Sequence, residues 1–401
     1  MKRCLILICS LVLWNVILTP LDVHAGETTL NPALNLGARY DNNVLFDRTI
    51  VIDDYSSVVH PSLALNHKTE RTDLNLGADV KFVNYLDQTE LDNTKQVYEF
   101  NVNSQLSERL SGQAKAHYIR DTLLDSELEE TGVVYNQEDR ERINTLGGIN
   151  YSLSQKSRLG ALYNFTYTDY EERTRADRND HSVGVTYSRF FNEGLDGLSV
   201  SPRYRYILLS DYKDSDGNTV KGSEVNNFSL NLGWTHKSSE IGTIRLFLGG
   251  RYTEETPVDD GDDTDNEKRD YSGVVADFSY TIKDEISNLR IGYSRDINYD
   301  ANNDLREMDR LYAYYDYLLT ERSRAGIYAN IYLTRTENQD SDNSDTRYLD
   351  IQPKISYSLT ELYYLQLAFR YSLQYDDTEK DKTVDRSQLL LSIVLQFPQK
   401  F

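Results

Sequence analysis

Arg203, Arg205, Arg245, Arg251, Arg290, Lys354 and Arg370 each stand among apolar residues that occupy every second position of the chain. Asp79, Asp277, Asp316 and Asp350 occupy the same kind of position. Charged groups held on one polar face can do one of two things. Rings of fixed charge sort ions in a water-filled passage. Alternatively, opposite charges pair within a wall and hold its shape. Both uses stay open here. Asp214-Ser-Asp216-Gly-Asn218, and the run from Asp259 through Asp262 to Asp265, concentrate oxygen ligands beside a turn-forming glycine. That chemistry suits a weak divalent-cation site or a hydrated acidic loop. The first run starts like an EF-hand loop but lacks its distal Glu. His60, His67, His117, His181 and His236 show no metal spacing; His181, directly after Asp180, is the best candidate for a catalytic base. A solvated histidine is the ordinary alternative, so the expectation is a non-enzyme, with a hydrolase as the minor reading. No cofactor is expected.

Both cysteines, Cys4 and Cys9, lie in the first 25 residues. The remainder carries no thiol, which excludes disulfides, zinc–thiolate sites, covalent haem and cysteine nucleophiles there. Asp and Glu number 64 against 43 Lys and Arg, a net charge of −21, which argues against nucleic acid as a partner. Tyrosine, at 31 residues, suits a boundary between apolar and aqueous phases.

The elements that position these residues are strands of period two. Leu74, Leu76, Ala78, Val80 and Phe82 alternate with Asn75, Gly77, Asp79 and Lys81; Phe228, Leu230, Leu232 and Trp234 alternate with Ser229, Asn231, Gly233 and Thr235. Successive side chains of a strand point to opposite faces. One face is therefore apolar throughout, and the other is too polar to be the core of a second sheet. Short turns at 68–71, 107–110, 154–157, 192–195, 238–241, 283–286, 320–323 and 360–362 separate longer, mostly acidic connections at 41–53, 86–94, 121–139, 171–180, 211–224, 254–269, 300–305, 336–345 and 376–385. This layout predicts an all-β fold, a closed transmembrane antiparallel β-barrel of about 18 strands with both termini periplasmic. Tyr40, Tyr85, Tyr118, Tyr170, Tyr252, Tyr299 and Tyr375, near the loop-side strand ends, are expected to form an aromatic girdle. Pro61, Pro202 and Pro353 fall inside predicted strands, where bulges or strand ends are expected.

Residues 1–25 read as a secretory signal peptide, with Lys2 and Arg3, an apolar run, and Val23-His-Ala25 before the cut; residues 26–401 form the barrel. The last strand carries Leu389, Leu391, Ile393, Leu395 and Phe397 at alternate positions and ends on Phe401. Phe397 and Phe401 resemble the assembly signal of Gram-negative outer-membrane barrels. That resemblance implies the outer membrane as location, with its lipid, lipopolysaccharide and barrel-assembly machinery as partners.

The first strand runs from Pro32 through Leu34 and Leu36 into Tyr40-Asp41-Asn42-Asn43, and a second strand carries Pro61. This resembles a family of outer-membrane β-barrel porins associated with exopolysaccharide and exosortase loci. The sharp match covers about forty residues; the rest agrees in layout. The resemblance implies a porin-like passive channel linked to envelope or exopolysaccharide traffic, with polysaccharide-export components as partners. A non-channel surface barrel, or a sheath for a partner protein, is the alternative. The connection at 121–139 holds Val133, Val134 and Tyr135 among acids including Glu129 and Glu130. Apolar side chains gain by leaving water, so this loop is expected to fold inward and narrow the passage.

Overall fold

The computed structural model describes residues 26–130, 138–171, 175–213, 217–257, 268–299, 305–336, 345–377 and 383–401. The described strands, in chain order, are β1 (Glu27–Asp41), β2 (Asp54–Lys68), β3 (Thr72–Tyr85), β4 (Asn93–Gln105), β5 (Leu110–Thr122), β6 (Asp139–Ser154), β7 (Ser157–Tyr170), β8 (Arg178–Phe191), β9 (Asp196–Leu209), β10 (Tyr212–Lys213) and β11 (Thr219–Val220). They continue as β12 (Ser223–Lys237), β13 (Gly242–Pro257), β14 (Arg269–Lys283), β15 (Ser287–Tyr299), β16 (Leu305–Thr320), β17 (Ser323–Thr336), β18 (Asp345–Ser358), β19 (Tyr363–Asp376), β20 (Thr383–Gln396) and β21 (Gln399–Lys400). An α-helix, α1 (Leu123–Glu130), follows β5.

β1–β9 and β12–β20 are the wall, eighteen strands each hydrogen-bonded antiparallel to its sequence neighbour. The wall closes where β20 pairs with β1, from Asp41 opposite Gln388 to Ala33 opposite Gln396, and β21 extends the seam to Thr29 opposite Lys400. All eight short turns fall where the sequence puts them. Wall strands run 13 to 16 residues, longer than the roughly 9–11 that a tilted spanning strand needs. They therefore continue past an apolar belt.

The arrangement is inside-out. On β20, Leu391 is 58% exposed while its neighbour Ser392 is 3% exposed. Along β12, Phe228, Leu230 and Leu232 are exposed in the same way, with Ser229 and Asn231 turned inward. A continuous apolar band of this size is far beyond what water tolerates on a monomer surface. Each wall strand is paired on both sides over part of its length, and backbone can sit in hydrocarbon only where it is so paired.

The three prolines correct an expectation. Pro61, Pro202 and Pro353 lie in strand interiors on the outward face, without bulges. Each pairs on one side, opposite Leu34, Leu230 and Ile327. On the other side the ladder skips two pairs and resumes in register: Val59–Phe82 to Ser62–Asp79, Gly184–Arg203 to Tyr187–Val200, and Ile351–Tyr371 to Lys354–Ala368. A missing N–H donor thus costs the ladder locally but not the register.

The tyrosine girdle is also corrected in part. Tyr40, Tyr118, Tyr252 and Tyr375 face outward. Tyr85 and Tyr170 face inward, and Tyr299 is buried in the interior at 2% exposure.

Candidate functional site: the barrel lumen

Strand register places all of Arg203, Arg205, Arg245, Arg251, Arg290, Lys354, Arg370, Asp79, Asp277, Asp316 and Asp350 on the inward face. Their partners divide them. Arg205 forms an ion pair with Asp180 at 2.5 Å, Arg324 with Asp316 at 2.9 Å, Arg370 with Asp350 at 2.8 Å, and His60 reaches Asp79 at 3.2 Å. Arg251 approaches Glu307 at 3.6 Å. These are wall pairs. Asp277 lies in the field of both Arg290 and Arg245. Arg203, Arg245, Arg290 and Lys354 have no carboxylate within ion-pair distance among the described residues. Arg290 instead lies 5.4 Å from the Tyr312 ring centre and Lys354 5.9 Å from that of Tyr314. The polar face therefore holds both arrangements, paired struts and unneutralised cations.

Toward the loop end the lumen is occupied. α1 leaves the end of β5 and buries Leu124 and Leu128 against Phe46, Tyr332, Tyr348 and Val384, with Met308 alongside. Those partners belong to the 41–53 loop and to β16, β17, β18 and β20, across the barrel from β5. The helix thus crosses the interior. At its base Leu123 packs on Tyr170 of the nearer β7. Glu129 and Glu130 end α1; Val133 and Tyr135 lie outside the described residues. Phe46 takes a positive φ of 51°. It is held by Asn43, which accepts the Asp47 N–H at 3.0 Å and donates to the Asp47 carbonyl at 2.9 Å. Asp47 in turn accepts the N–H groups of Ile50 and Thr49, which hold its carboxyl below the usual aspartate range.

A second occupant comes from the wall. The β14–β15 ladder stops at Ala276 opposite Arg295. Beyond it, β15 stays paired with β16 up to Tyr299 opposite Leu305. This hairpin end rolls inward. Ile297, Tyr299 and Leu305, outward by parity, are buried against Ile207, Leu209, Val225 and Tyr271, which line the inner face of β9, β12 and β14. Arg178 donates to the Tyr299 carbonyl at 2.9 Å. Arg295 pairs with Glu307 at 2.7 Å and with Asp309 at 3.6 Å on the same rolled face.

The residues of the first-strand motif meet at the closing seam. Asp41, 1% exposed, accepts from Gln388 at 2.5 Å and faces Arg386 at 3.6 Å. Asn42 accepts the Ser387 N–H at 2.6 Å, and Asn43 donates to the Asp385 carbonyl at 3.1 Å. Pro32 offers its carbonyl to the Phe397 N–H at 2.9 Å. Tyr40 packs outward on Tyr55 with ring centres 5.0 Å apart, and Pro61 sits opposite Leu34. Sequence reasoning missed this clasp. Its signal was a run of short hydrogen-bonding side chains at the end of the first strand, whose partners are more than 340 residues away. Phe401 continues the seam, exchanging backbone hydrogen bonds with Thr28 while its ring stays exposed.

Asp180 and His181 do not form a catalytic pair. As strand neighbours they point to opposite faces. Asp180 is bound to Arg205 inside, and His181 meets the Tyr163 hydroxyl at 2.8 Å outside. Asp214, Asp216, Asp259 and Asp262 lie outside the described residues, and no cluster among the described residues could hold a metal ion. A cleft of about 820 Å³ at the rim, between Arg120, Glu141, Asp169 and Lys213, is of mixed charge.

No protein-family model and no curated protein matches the chain. Solved outer-membrane porins resemble its overall barrel. OpdK of Pseudomonas aeruginosa, with vanillate, is 12% identical with a TM-score of 0.45, covering 93% of this chain and 99% of its own. OccK2 (OpdF) of Pseudomonas aeruginosa is 12% identical at 0.47, covering 93% and 98%. A BenF-like porin from Pseudomonas fluorescens Pf-5 is 10% identical at 0.45, covering 94% and 99%. No residue role is taken from them.

Proposed function

We propose that this chain is a porin-like channel of the Gram-negative outer membrane, with its termini and short turns on the periplasmic side. Its solutes are small hydrophilic molecules of envelope or exopolysaccharide traffic. The observation that carries this reading is a closed barrel of eighteen strands with an apolar outer face and a charged inner one. A barrel of that size cannot fill its interior with wall side chains alone. Here α1 and the rolled β15–β16 end fill the loop-side half. The turn-side half keeps exposed inward groups such as Glu99, Arg290 and Lys354. The passage is thus a wet vestibule leading to a narrow, charge-lined constriction. The polysaccharide assignment is supported by the Pro32, Tyr40-to-Asn43 and Pro61 resemblance, as is the expectation of polysaccharide-export partners.

Planar-bilayer recording of refolded residues 26–401 tests this. Stepwise, ion-selective conductance is expected. A protein that inserts with the heat-modifiable mobility of a folded barrel yet conducts nothing would favour the structural-barrel reading instead.

A further inference from the structure

β15 to β18 carry tyrosine rings and cations on their inner face, of which Tyr312, Tyr314 and Lys354 take part in neither wall ion pairs nor the two plugs. Gly292 of β15 is opposite Tyr312 of β16. A Cβ at Gly292 would stand 2.3 Å from Cζ and the hydroxyl of Tyr312. The ring therefore lies down across the glycine, flat to the wall, rather than standing into the lumen. The Arg290 guanidinium lies over the ring at 5.4 Å and that of Arg310 at 5.3 Å from its centre. Two residues along β16 toward the turns, about 7 Å away, Tyr314 is opposite Arg290 and has Lys354 over its ring at 5.9 Å, a second ring–cation pair without the glycine. Toward the loops, Arg310 also lies 5.3 Å from Tyr332, which is buried beneath α1. Arg310 is oriented by the Tyr328 hydroxyl and the Asn330 side-chain oxygen, both at 3.0 Å. Arg290 and Lys354 are exposed to the lumen, and Tyr312 and Tyr314 are half-buried.

We propose that this ring-and-cation track binds an acidic oligosaccharide, threading it from the turn-side vestibule toward the α1 constriction. The chemistry is specific in two parts. The tyrosine ring, its faces taken by the wall and the cations, leaves an apolar edge for the C–H groups of a sugar ring. A guanidinium or ammonium beside it takes the carboxylate of a uronic acid. The repetition of the pair along the wall selects a ligand that repeats the same two features, a chain over a single aromatic acid. This inference rests on the channel reading above, and its test separates the two.

Linear trigalacturonate is the probe, with maltotriose, benzoate and acetate as comparison ligands. Binding to detergent-folded residues 26–401 is measured by titration calorimetry, and block of the open channel is measured in planar bilayers. The expected result is that trigalacturonate binds and blocks, and that Tyr312→Ala and Arg290→Gln each weaken it about tenfold. Gly292→Val, which removes no contact group but lifts the Tyr312 ring, should weaken it similarly. Heat-modifiable mobility reports that each variant is folded. Equal binding of maltotriose, or benzoate binding as well as the trimer, would overturn the acidic-saccharide assignment. So would unchanged affinity in folded Tyr312→Ala and Arg290→Gln. Conductance without binding rejects the track and keeps the channel; binding without conductance does the reverse.

Discussion

Releasing α1 from the far wall should open the passage. Leu124 is 4% exposed and Leu128 2%, both against Phe46, Tyr332, Tyr348 and Val384. Each truncation to Ala removes three carbons from a buried site, at about 0.8 kcal/mol per carbon, so the pair loses roughly 4–5 kcal/mol of docking. At about 1.4 kcal/mol per decade, that moves the docked-to-free ratio about a thousandfold. The wall ladder is untouched, so the Leu124→Ala, Leu128→Ala variant should keep its heat-modifiable mobility. Its single-channel conductance should rise, with more frequent transitions between levels. Leu123→Ala is the matched control, because Leu123 packs on Tyr170 beside the helix base and not across the lumen. It should leave conductance near that of the parent. A folded double variant with parental conductance and gating would refute the idea that these two leucines hold the constriction shut.

Four further outcomes follow from the same geometry. Leu391→Arg places a charge on the outward face of β20, costing roughly 2–4 kcal/mol near the bilayer midplane, and should cut the yield of folded, heat-modifiable barrel. Asp41→Ala removes the buried acceptor of Gln388 and the carboxylate 3.6 Å from Arg386; a loss of roughly 1–3 kcal/mol is expected, seen as a lower temperature for conversion of the folded band. Asp47 has its folded-state pKa lowered, so the support it gives the 41–53 loop is present above its unfolded value and lost as pH falls through the folded one; conductance should rise below about pH 4, and Asp47→Asn should remove that acid limb. Glu129→Gln with Glu130→Gln should shift ion selectivity away from cations in reversal-potential measurements; unchanged selectivity would place the end of α1 away from the ion path.

What the sequence shows and what it hides separate along one physical line. Period-two alternation reports which face of a strand is apolar, and the polar face is an independent second signal. Together they placed each of the eight turns and put Arg203 through Arg370 on the inner wall. Proline is harder, because one missing donor can be absorbed by skipping two ladder pairs while the register continues, as at Pro353. The girdle failed at Tyr85 and Tyr170 for a related reason. An amphipathic ring serves equally at a membrane rim and in a wet interior, and Arg39 donating to the Tyr85 hydroxyl at 2.8 Å shows the second use. The clasp of Asp41, Asn42 and Asn43 on the last strand could not be read locally at all, since its partners are set by closure.

The rolled β15–β16 end was legible in principle. Arg295, Glu307 and Asp309 occupy outward positions by parity, Asp309 opposite Leu333 of β17. Three charges on a lipid-facing row are expensive, so a strand that bears them must leave the belt or turn that face away. It turns: the charges pair with one another and with Arg251 inside. Ile297, Tyr299 and Leu305 on the same row then find an apolar partner in Ile207 and Val225. Those two residues are themselves apolar at inward positions, the opposite violation on the opposite strands. Each breach of the alternation alone looks like an error in the pattern. Matched, the two describe a contact across the lumen, so paired breaches of inside-out patterning mark where a barrel wall folds into its own interior.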